Sequence, residues 1–450
     1  MATRYLVSLV ALLSIVPVAL AAESPESPDT ATCHNGAYEL SDGSRLVIQP
    51  SDPGNLRYRL LDGTSGRLYR VSENHYESGD GWSVREPVTL RVAFRDCDGD
   101  IVQWQRGNDQ QFRGRRIPLP TRPVYFQSGA ATLYGELVMP VNRKPRAVVV
   151  LQYGSGQESA VEHNYVQHLL PLHDIAVFVF DKAGTGRSNG VFNAHIRMLA
   201  DDVVAAVKAV RSQSELPDVP LGVMGESQGG WVVPLAATKT RVDFVVVSYG
   251  MAVSMVGEDR EEVAQSLRSR GYGADVLAKG EEIHRASMRV AISRFTDGID
   301  ELERLKNRYR DEPWFAYIGG DLTSMLASTP REKLPEVKAM WDFPYDLTYD
   351  PMPTLAAIDV PMLWILAGQD TEAPHETTLA NLQQLKKQGV PVEIIVFDNA
   401  EHGMIAVEPG PDGPRNLGRT VPGYFERLAG WIQDRDSATP HGSSDQAGSE

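Results

Sequence analysis

Between a short apolar run, Leu221 to Met224, and a helix-compatible run, Trp231 to Thr238, stands Gly225-Glu226-Ser227-Gln228-Gly229. An apolar run without alternation suits a strand covered on both faces, and the run beyond the second glycine suits a helix. A chain that turns from strand to helix over five residues must hold the middle one in a strained backbone conformation. Glycines two positions to either side let the two elements approach that closely. The segment predicts a layered α/β architecture and pushes the Ser227 hydroxyl into the open.

Two later segments repeat the strand-then-turn pattern. Pro361 to Leu366 is followed by Ala367-Gly368-Gln369-Asp370, and Val392 to Phe397 by Asn399-Ala400-Glu401-His402-Gly403. Each places an acid or a histidine past the carboxyl end of a candidate parallel strand, where open α/β sheets hold their ligands. A serine hydroxyl is a weak nucleophile at neutral pH, so it needs a histidine to take its proton and an acid to orient that histidine. Ser227, His402 and Asp370 are the candidates for these roles, with Glu372 and Asp398 as neighbouring alternatives for the acid. A carbonyl oxygen under attack also needs hydrogen-bond donors, each worth roughly 3 to 4 kcal/mol in such sites. The backbone N–H of Gln228 comes with the turn. Val148 to Gln152 followed by Tyr153-Gly154-Ser155-Gly156 offers a second, assigned to the N–H of Ser155 with Gly154 in reserve.

Together with Asp181-Lys182-Ala183-Gly184-Thr185-Gly186-Arg187-Ser188, these motifs resemble the α/β-hydrolase superfamily, and within it bacterial serine hydrolases of the dienelactone-hydrolase-like and serine-aminopeptidase-like groups. The resemblance covers about Pro123 to Arg435. Three positions depart from it: Tyr153 stands where many relatives have the histidine of a His-Gly pair, Ala183 where arginine is common, and Ala367 where glycine is frequent. It implies an α/β-hydrolase fold with a mostly parallel sheet, and hydrolysis of a carboxylic ester through an acyl-enzyme, without a cofactor. A peptidase or aminopeptidase, a thioesterase and an acyltransferase would use the same three residues. A non-catalytic binding protein of the same fold is the alternative from another class. Glu258, Glu261 and Glu262 would serve an aminopeptidase by binding a free amino terminus, although acidic helices are ordinarily solvated. The Asp181 to Ser188 run lacks the lysine spacing of a phosphate loop and reads as a structural turn. The histidines show no metal-ligand spacing: His163 and His168 are five apart, and His375-Glu376 lacks the second histidine of a zinc helix.

At the amino terminus, Arg4 precedes an apolar run from Leu6 to Val18 and then Ala19-Leu20-Ala21-Ala22, the form of a secretory signal over residues 1–22 with cleavage after Ala21 or Ala22. The expected destination is the periplasm or the outside of the cell, without a stable membrane anchor after cleavage. Cys33 and Cys97 suit such an oxidising compartment and are expected to pair. A formal charge of -15 has the wrong sign for nucleic acid or anionic lipid.

Residues 23–122 carry short alternating runs such as Arg45 to Ile48, Leu56 to Leu60 and Thr89 to Val92, separated by Asp42-Gly43, Asp62-Gly63 and Asp98-Gly99. These are hairpin signals, and they predict a small antiparallel β module, sandwich or barrel. Residues 123–436 form the expected hydrolase unit. It opens on Val124 to Phe126 and Leu133 to Val138 as an antiparallel pair, and Leu199 to Val210 is a helix whose Asp201 and Asp202 read as solvated or capping. Within it, about 251–357 is helix-compatible throughout and reads as an inserted cap. Its late aromatics, Trp314, Phe315, Tyr317, Trp341, Phe343 and Tyr345, read as the cap's own core, with the lining of an apolar pocket as the alternative. The small, polar residues 437–450 are left as a disordered tail.

Overall fold

The structure, a computed structural model, describes residues 32–437 apart from 52–53, 80–84, 98–99, 108–109, 214–215, 217–218, 342–344 and 411–412. The signal-like segment, the Asp98-Gly99 turn, Phe343 and residues 438–450 therefore lie outside the described residues.

Eight strands come first: β1 (Gly36–Leu40), β2 (Arg45–Pro50), β3 (Leu56–Leu60), β4 (Ser65–Ser72), β5 (His75–Ser78), β6 (Leu90–Phe94), β7 (Ile101–Arg106) and β8 (Gln110–Arg116). Each pairs antiparallel with the next, and β1 also pairs β8 through Tyr38 and Arg116, so the sheet closes into a barrel with no free edge. Alternate side chains fill its interior, among them Tyr38, Ile48, Leu56, Leu68, Tyr76 and Trp104. Asp42-Gly43 and Asp62-Gly63 make the turns before β2 and β4, with Gly43 at φ 85° and Gly63 at φ 88°. Cys33 and Cys97 form a disulfide across a sequence separation of 64, a loop long enough to stabilise by about 4 kcal/mol in the chain-entropy model.

The second sheet contains β9 (Thr121–Ser128), β10 (Ala131–Val138), β11 (Ala147–Gln152), β12 (Ile175–Phe180), β13 (Leu221–Glu226), β14 (Phe244–Ser248), β15 (Met362–Ala367) and β16 (Val392–Phe397). Its spatial order is β16-β15-β14-β13-β11-β12-β10-β9, parallel from β12 to β16 and antiparallel at the β9 and β10 end. Strands β11 to β15 are buried at every position, as their unbroken apolar runs require. This is the α/β-hydrolase fold. Near its centre β13 is paired on both sides, and the turn that bears Ser227 leaves its carboxyl end.

Around and between these strands run α1 (Ala160–His163), α2 (Val166–Leu169), α3 (Ile196–Arg211) and α4 (Gly229–Ala237). The cap follows β14 with α5 (Met255–Arg268), α6 (Ala274–Ile292), α7 (Ile299–Tyr309), α8 (Asp321–Ser328) and α9 (Leu334–Met340). The chain then returns through α10 (Met352–Ala356), α11 (His375–Lys387) after β15, and α12 (Tyr424–Gln433). No described helix is long and apolar enough to cross a membrane. Trp314 is buried in an apolar cluster of the cap's own helices, with Phe315, Trp341 and Tyr345 packed against it, so these aromatics form the cap's core. On α3 the two acids part company. Asp201 is exposed and pairs with Lys239 at 2.7 Å, whereas Asp202 is buried, and burial pushes its carboxyl up to about 6 with Ser128 as a hydrogen-bond partner. A solvated reading fails for Asp202 because β9 covers that face of the helix.

After β16 the chain forms a three-stranded sheet that the sequence did not announce: β17 (Ala400–Glu401), β18 (Ile405–Gly410) and β19 (Gly413–Thr420). Its far strand reaches the barrel. Thr420 N–H donates to the Gly63 carbonyl at 2.9 Å, the Thr420 and Ser65 hydroxyls lie 3.2 Å apart, and Arg419 donates to the Asp62 carbonyl at 3.0 Å.

Candidate active site

Ser227 occupies the turn between β13 and α4 with φ 51°, left-handed backbone that a non-glycine residue adopts only at a cost. Both flanking glycines are required by close approach. A Cβ on Gly225 would lie 2.3 Å from the Gly229 carbonyl oxygen, and one on Gly229 would lie 2.6 Å from the Gln152 carbonyl oxygen. The hydroxyl so presented lies 3.2 Å from His402 Nε2. On the other side of the imidazole, Nδ1 lies 2.9 Å from Asp370 Oδ2 and 3.1 Å from Oδ1. Asp370 is buried, and its Oδ1 accepts the backbone N–H groups of Glu372 at 3.0 Å and Ala373 at 2.7 Å. A carboxylate fixed in this way accepts a hydrogen bond from Nδ1–H, which leaves the Nε2 lone pair facing the serine.

The alternative acids do not take this place. Glu372 reaches His402 Nε2 only at 3.8 Å, and its side chain is 71% exposed. Asp398 supports the turn instead: its carbonyl accepts from the Gln369 side chain at 3.1 Å, and its backbone packs against Gly368.

His402 is steadied from several directions. The Tyr249 ring meets it edge-on at 5.0 Å, and the segment beyond it continues into β18 and β19, which the barrel holds through Gly63 and Ser65. Behind the serine, Glu226 is buried. It accepts from Asn164 Nδ2 at 2.7 Å and bonds the Tyr249 hydroxyl. Burial pushes the Glu226 carboxyl up, while Asn164, Tyr249 and the charge of Arg59 pull it down. Arg59 belongs to barrel strand β3, is buried, lies 4.0 Å over the Tyr165 ring and donates to Gln49 at 2.8 Å. The barrel thus holds the histidine segment directly and acts on Glu226, just before the serine, through the buried charge of Arg59. Sequence reasoning missed these residues: Arg59 stands on the barrel's outer face, between the inward-facing Tyr58 and Leu60, and a charge there looks like any solvated strand residue.

Gly154 lies directly against the serine, where a Cβ would come within 3.3 Å of Ser227 Cβ and 3.8 Å of its Oγ. Exposed Ser155 follows Gly154 in the chain, and buried Gln228 opens α4 directly after Ser227. The Tyr153 hydroxyl lies 2.7 Å from the Gly156 carbonyl oxygen and so shapes the loop at the position where the resemblance leads one to expect histidine.

Burial alone would lower the His402 imidazole, but Asp370, Glu372 and Glu258 outweigh it and raise the group to about 9. Glu258 and Glu262 lie on one face of α5, four residues apart, with Gln265 three further on. Gln265 donates to the Asp370 carbonyl at 2.8 Å, which seats this face over the site. Burial pushes both carboxyls well up, and Asp321 adds to the rise in each. Glu262 also accepts the Asp321 N–H at 2.8 Å. The expectation of a solvated acidic helix therefore fails at Glu258 and Glu262, because the cap folds that face inward. Elsewhere, Cys33, His34 and Cys97 bring ligand-type atoms within 4.8 Å, but the two sulfurs are bonded to each other.

Residues 143–256 match the family described as serine aminopeptidase, S33. A Mycobacterium tuberculosis protein provisionally named a phosphoribosyl transferase is 29% identical over 147 residues, 31% of this chain and 32% of that protein. The monoglyceride lipase of Mus musculus is 29% identical over 97 residues, 21% of this chain and 31% of the lipase. The caffeoylshikimate esterase of Arabidopsis thaliana is 26% identical over 113 residues, 25% of this chain and 34% of the esterase. The chain thus spans about a third of the length of these curated relatives. Among solved structures, an esterase of Pyrococcus furiosus matches with a TM-score of 0.42 at 14% identity, covering 70% of this chain and 90% of the esterase.

Proposed function

We propose that this chain is a secreted serine hydrolase that cleaves carboxylic esters of small molecules through an acyl-enzyme. The observation that carries the reading is the continuous line from Ser227 Oγ through His402 to Asp370, at 3.2 and 2.9 Å. Ser227 attacks the ester carbonyl as His402 Nε2 takes its proton, and Asp370 holds the imidazole and balances its charge. The N–H groups of Gln228 and Ser155 receive the negative oxygen. The tetrahedral species collapses as His402 returns the proton to the alkoxide, leaving an acyl group on Ser227. Water, deprotonated by His402, then attacks the acyl carbon, and His402 returns that proton to Ser227 Oγ as the acid leaves. Each step uses groups of this chain alone.

The signal-like segment 1–22 and the disulfide support export to an oxidising compartment. Amino-terminal sequencing of exported protein is expected to begin at Ala22 or Glu23. The named relatives differ in substrate, so the ester class rests on the site's chemistry. The test is Ser227→Ala against p-nitrophenyl acyl esters, where loss is expected to cost about 10⁴-fold or more. Hydrolysis left unchanged would refute the reading.

A second reading is favoured by one observation: Glu258, Glu262 and Asp321 gather over the site, and both Glu258 and Asp321 act electrostatically on His402. Such a group of carboxyls suits a substrate carrying an ammonium, as an aminopeptidase substrate does. Aminoacyl p-nitroanilides cleaved faster than short acyl esters would replace the first reading by this one.

A further inference from the structure

Lys182 is 1% exposed, and the chemistry above leaves it without a role. It stands just after β12, in the turn that begins with Asp181. Its ammonium donates to the carbonyl of Gly154 and, at 3.1 Å, to that of Gly156, and it lies 4.0 Å over the Tyr153 ring. The Tyr153 hydroxyl lies within hydrogen-bond reach of the same Gly156 oxygen, at 2.7 Å, and of the Glu158 carbonyl, at 2.5 Å. At the end of this loop, Asp181 accepts the Ser159 hydroxyl at 2.8 Å. Burial lowers Lys182 to about 7, opposed only by Glu158. An ammonium is costly to bury, and this one is satisfied by backbone carbonyls of the loop that faces Ser227.

Peptide geometry gives the consequence. In a trans peptide the C=O and the following N–H point in opposite directions. A Gly154 carbonyl held towards Lys182 turns the Ser155 N–H away from it, while Gly154 itself lies against Ser227. We propose that Lys182 is a positioning residue: by holding the Gly154 and Gly156 carbonyls, it aims the Ser155 N–H at the oxygen of the attacked carbonyl. This rests on the ester-hydrolase reading. The grip needs only N–H donors, which the amine keeps when it loses its proton. Negative charge reaches the substrate oxygen only after Ser227 attacks, so the contribution falls on the transition state and leaves substrate binding alone. No bond forms or breaks at Lys182.

The test is Lys182→Met, which keeps the length and apolar stem. Loss of a direct oxyanion donor costs about 10²- to 10³-fold in kcat, and Lys182 acts one step behind it, so kcat on p-nitrophenyl acetate is expected to fall about 10- to 100-fold. KM is expected to stay within about twofold, and affinity for a trifluoromethyl ketone, which becomes tetrahedral on Ser227, to fall by the same factor as kcat/KM. In Lys182→Ala, ethylammonium is expected to restore part of kcat, and tetramethylammonium, which has no N–H, to restore none. If Lys182→Met does not fold, Lys182→Gln carries the same comparison: it keeps an N–H donor group on a shorter stem, and a loss of about threefold or more in kcat, with KM and ketone affinity behaving as above, is expected. An unchanged kcat, a rise in KM alone, or ketone affinity that does not follow kcat/KM would overturn the proposal. A wild-type chain that neither cleaves esters nor takes a fluorophosphonate on Ser227 would instead end the hydrolase reading itself.

Discussion

Replacing Glu372 by Gln removes one negative charge 3.8 Å from His402 Nε2 and preserves side-chain size. The backbone N–H that Glu372 gives to Asp370 is untouched. Because the Glu372 side chain is 71% exposed, the water-like end of the dielectric range applies, and the pair interacts by about 1 kcal/mol. That corresponds to about 0.8 of a pKa unit on His402. His402 must be neutral to accept the Ser227 proton, and its carboxylate neighbours hold it up at about 9, so activity grows as pH rises through that value. Without the Glu372 charge the imidazole loses its proton at lower pH.

The assay is kcat/KM on p-nitrophenyl acetate across pH, corrected for spontaneous hydrolysis. The acid limb is expected to move to lower pH by about 0.5 to 1 unit in Glu372→Gln, and less in high salt, which screens an exposed charge. A limb that stays in place, or moves upward, would show that Glu372 does not act on His402 and would refute the electrostatic reasoning.

Stability has a pH dependence of its own. His402 goes from 6.5 to about 9 on folding, and Glu262 is raised well above 4.5, so the folded chain holds protons that the unfolded chain gives up. These contributions are intact below the unfolded values and are lost as pH climbs through the folded ones. Lys182, lowered to about 7 on folding, works in the opposite direction above that pH, so the test is differential: Glu262→Gln is expected to lose less Tm, or gain more, than the wild-type chain between pH 5 and pH 9, and the same or a steeper decline would contradict it. Gly63→Ala places a Cβ 2.8 Å from the Thr420 carbonyl at φ 88°, and is expected to cost about 1 to 3 kcal/mol and to lower kcat by loosening the histidine segment. Gly43→Ala, at φ 85° with open space around it, is the control: it is expected to lower Tm and leave kcat unchanged, and equal kcat in both variants would remove the barrel from the site. Reduction of Cys33–Cys97 is expected to lower unfolding free energy by about 4 kcal/mol, read from denaturant midpoints with and without reductant.

What could be read from the sequence follows the range of each interaction. The unbroken apolar runs at Val148, Ala176, Leu221, Phe244, Pro361 and Val392 mark buried parallel strands because a strand covered on both faces has no polar side. Ser227, Asp370 and His402 were legible for the same reason, each lying just past such a run. Asp42-Gly43 and Asp62-Gly63 gave the hairpins before β2 and β4, but closure depends on β1 meeting β8, a pairing between residues far apart in the chain that no local pattern encodes. Asp202, Glu258 and Glu262 looked like surface acids because a charge pattern on a helix does not say what will pack over it. Arg59, Lys182 and the β18–β19 hairpin act across modules or loops, and their partners are set by the tertiary fold alone.

The decisive measurement is the mass-spectrometric mapping of a fluorophosphonate adduct on the folded chain. A single adduct on Ser227, lost in His402→Ala and slowed in Asp370→Asn, is the expected result, because only a serine activated by its own base attacks the phosphorus at a useful rate. No adduct on Ser227, or equal labelling with His402 removed, would mean that the hydrogen-bonded line of serine, histidine and aspartate does not make a nucleophile.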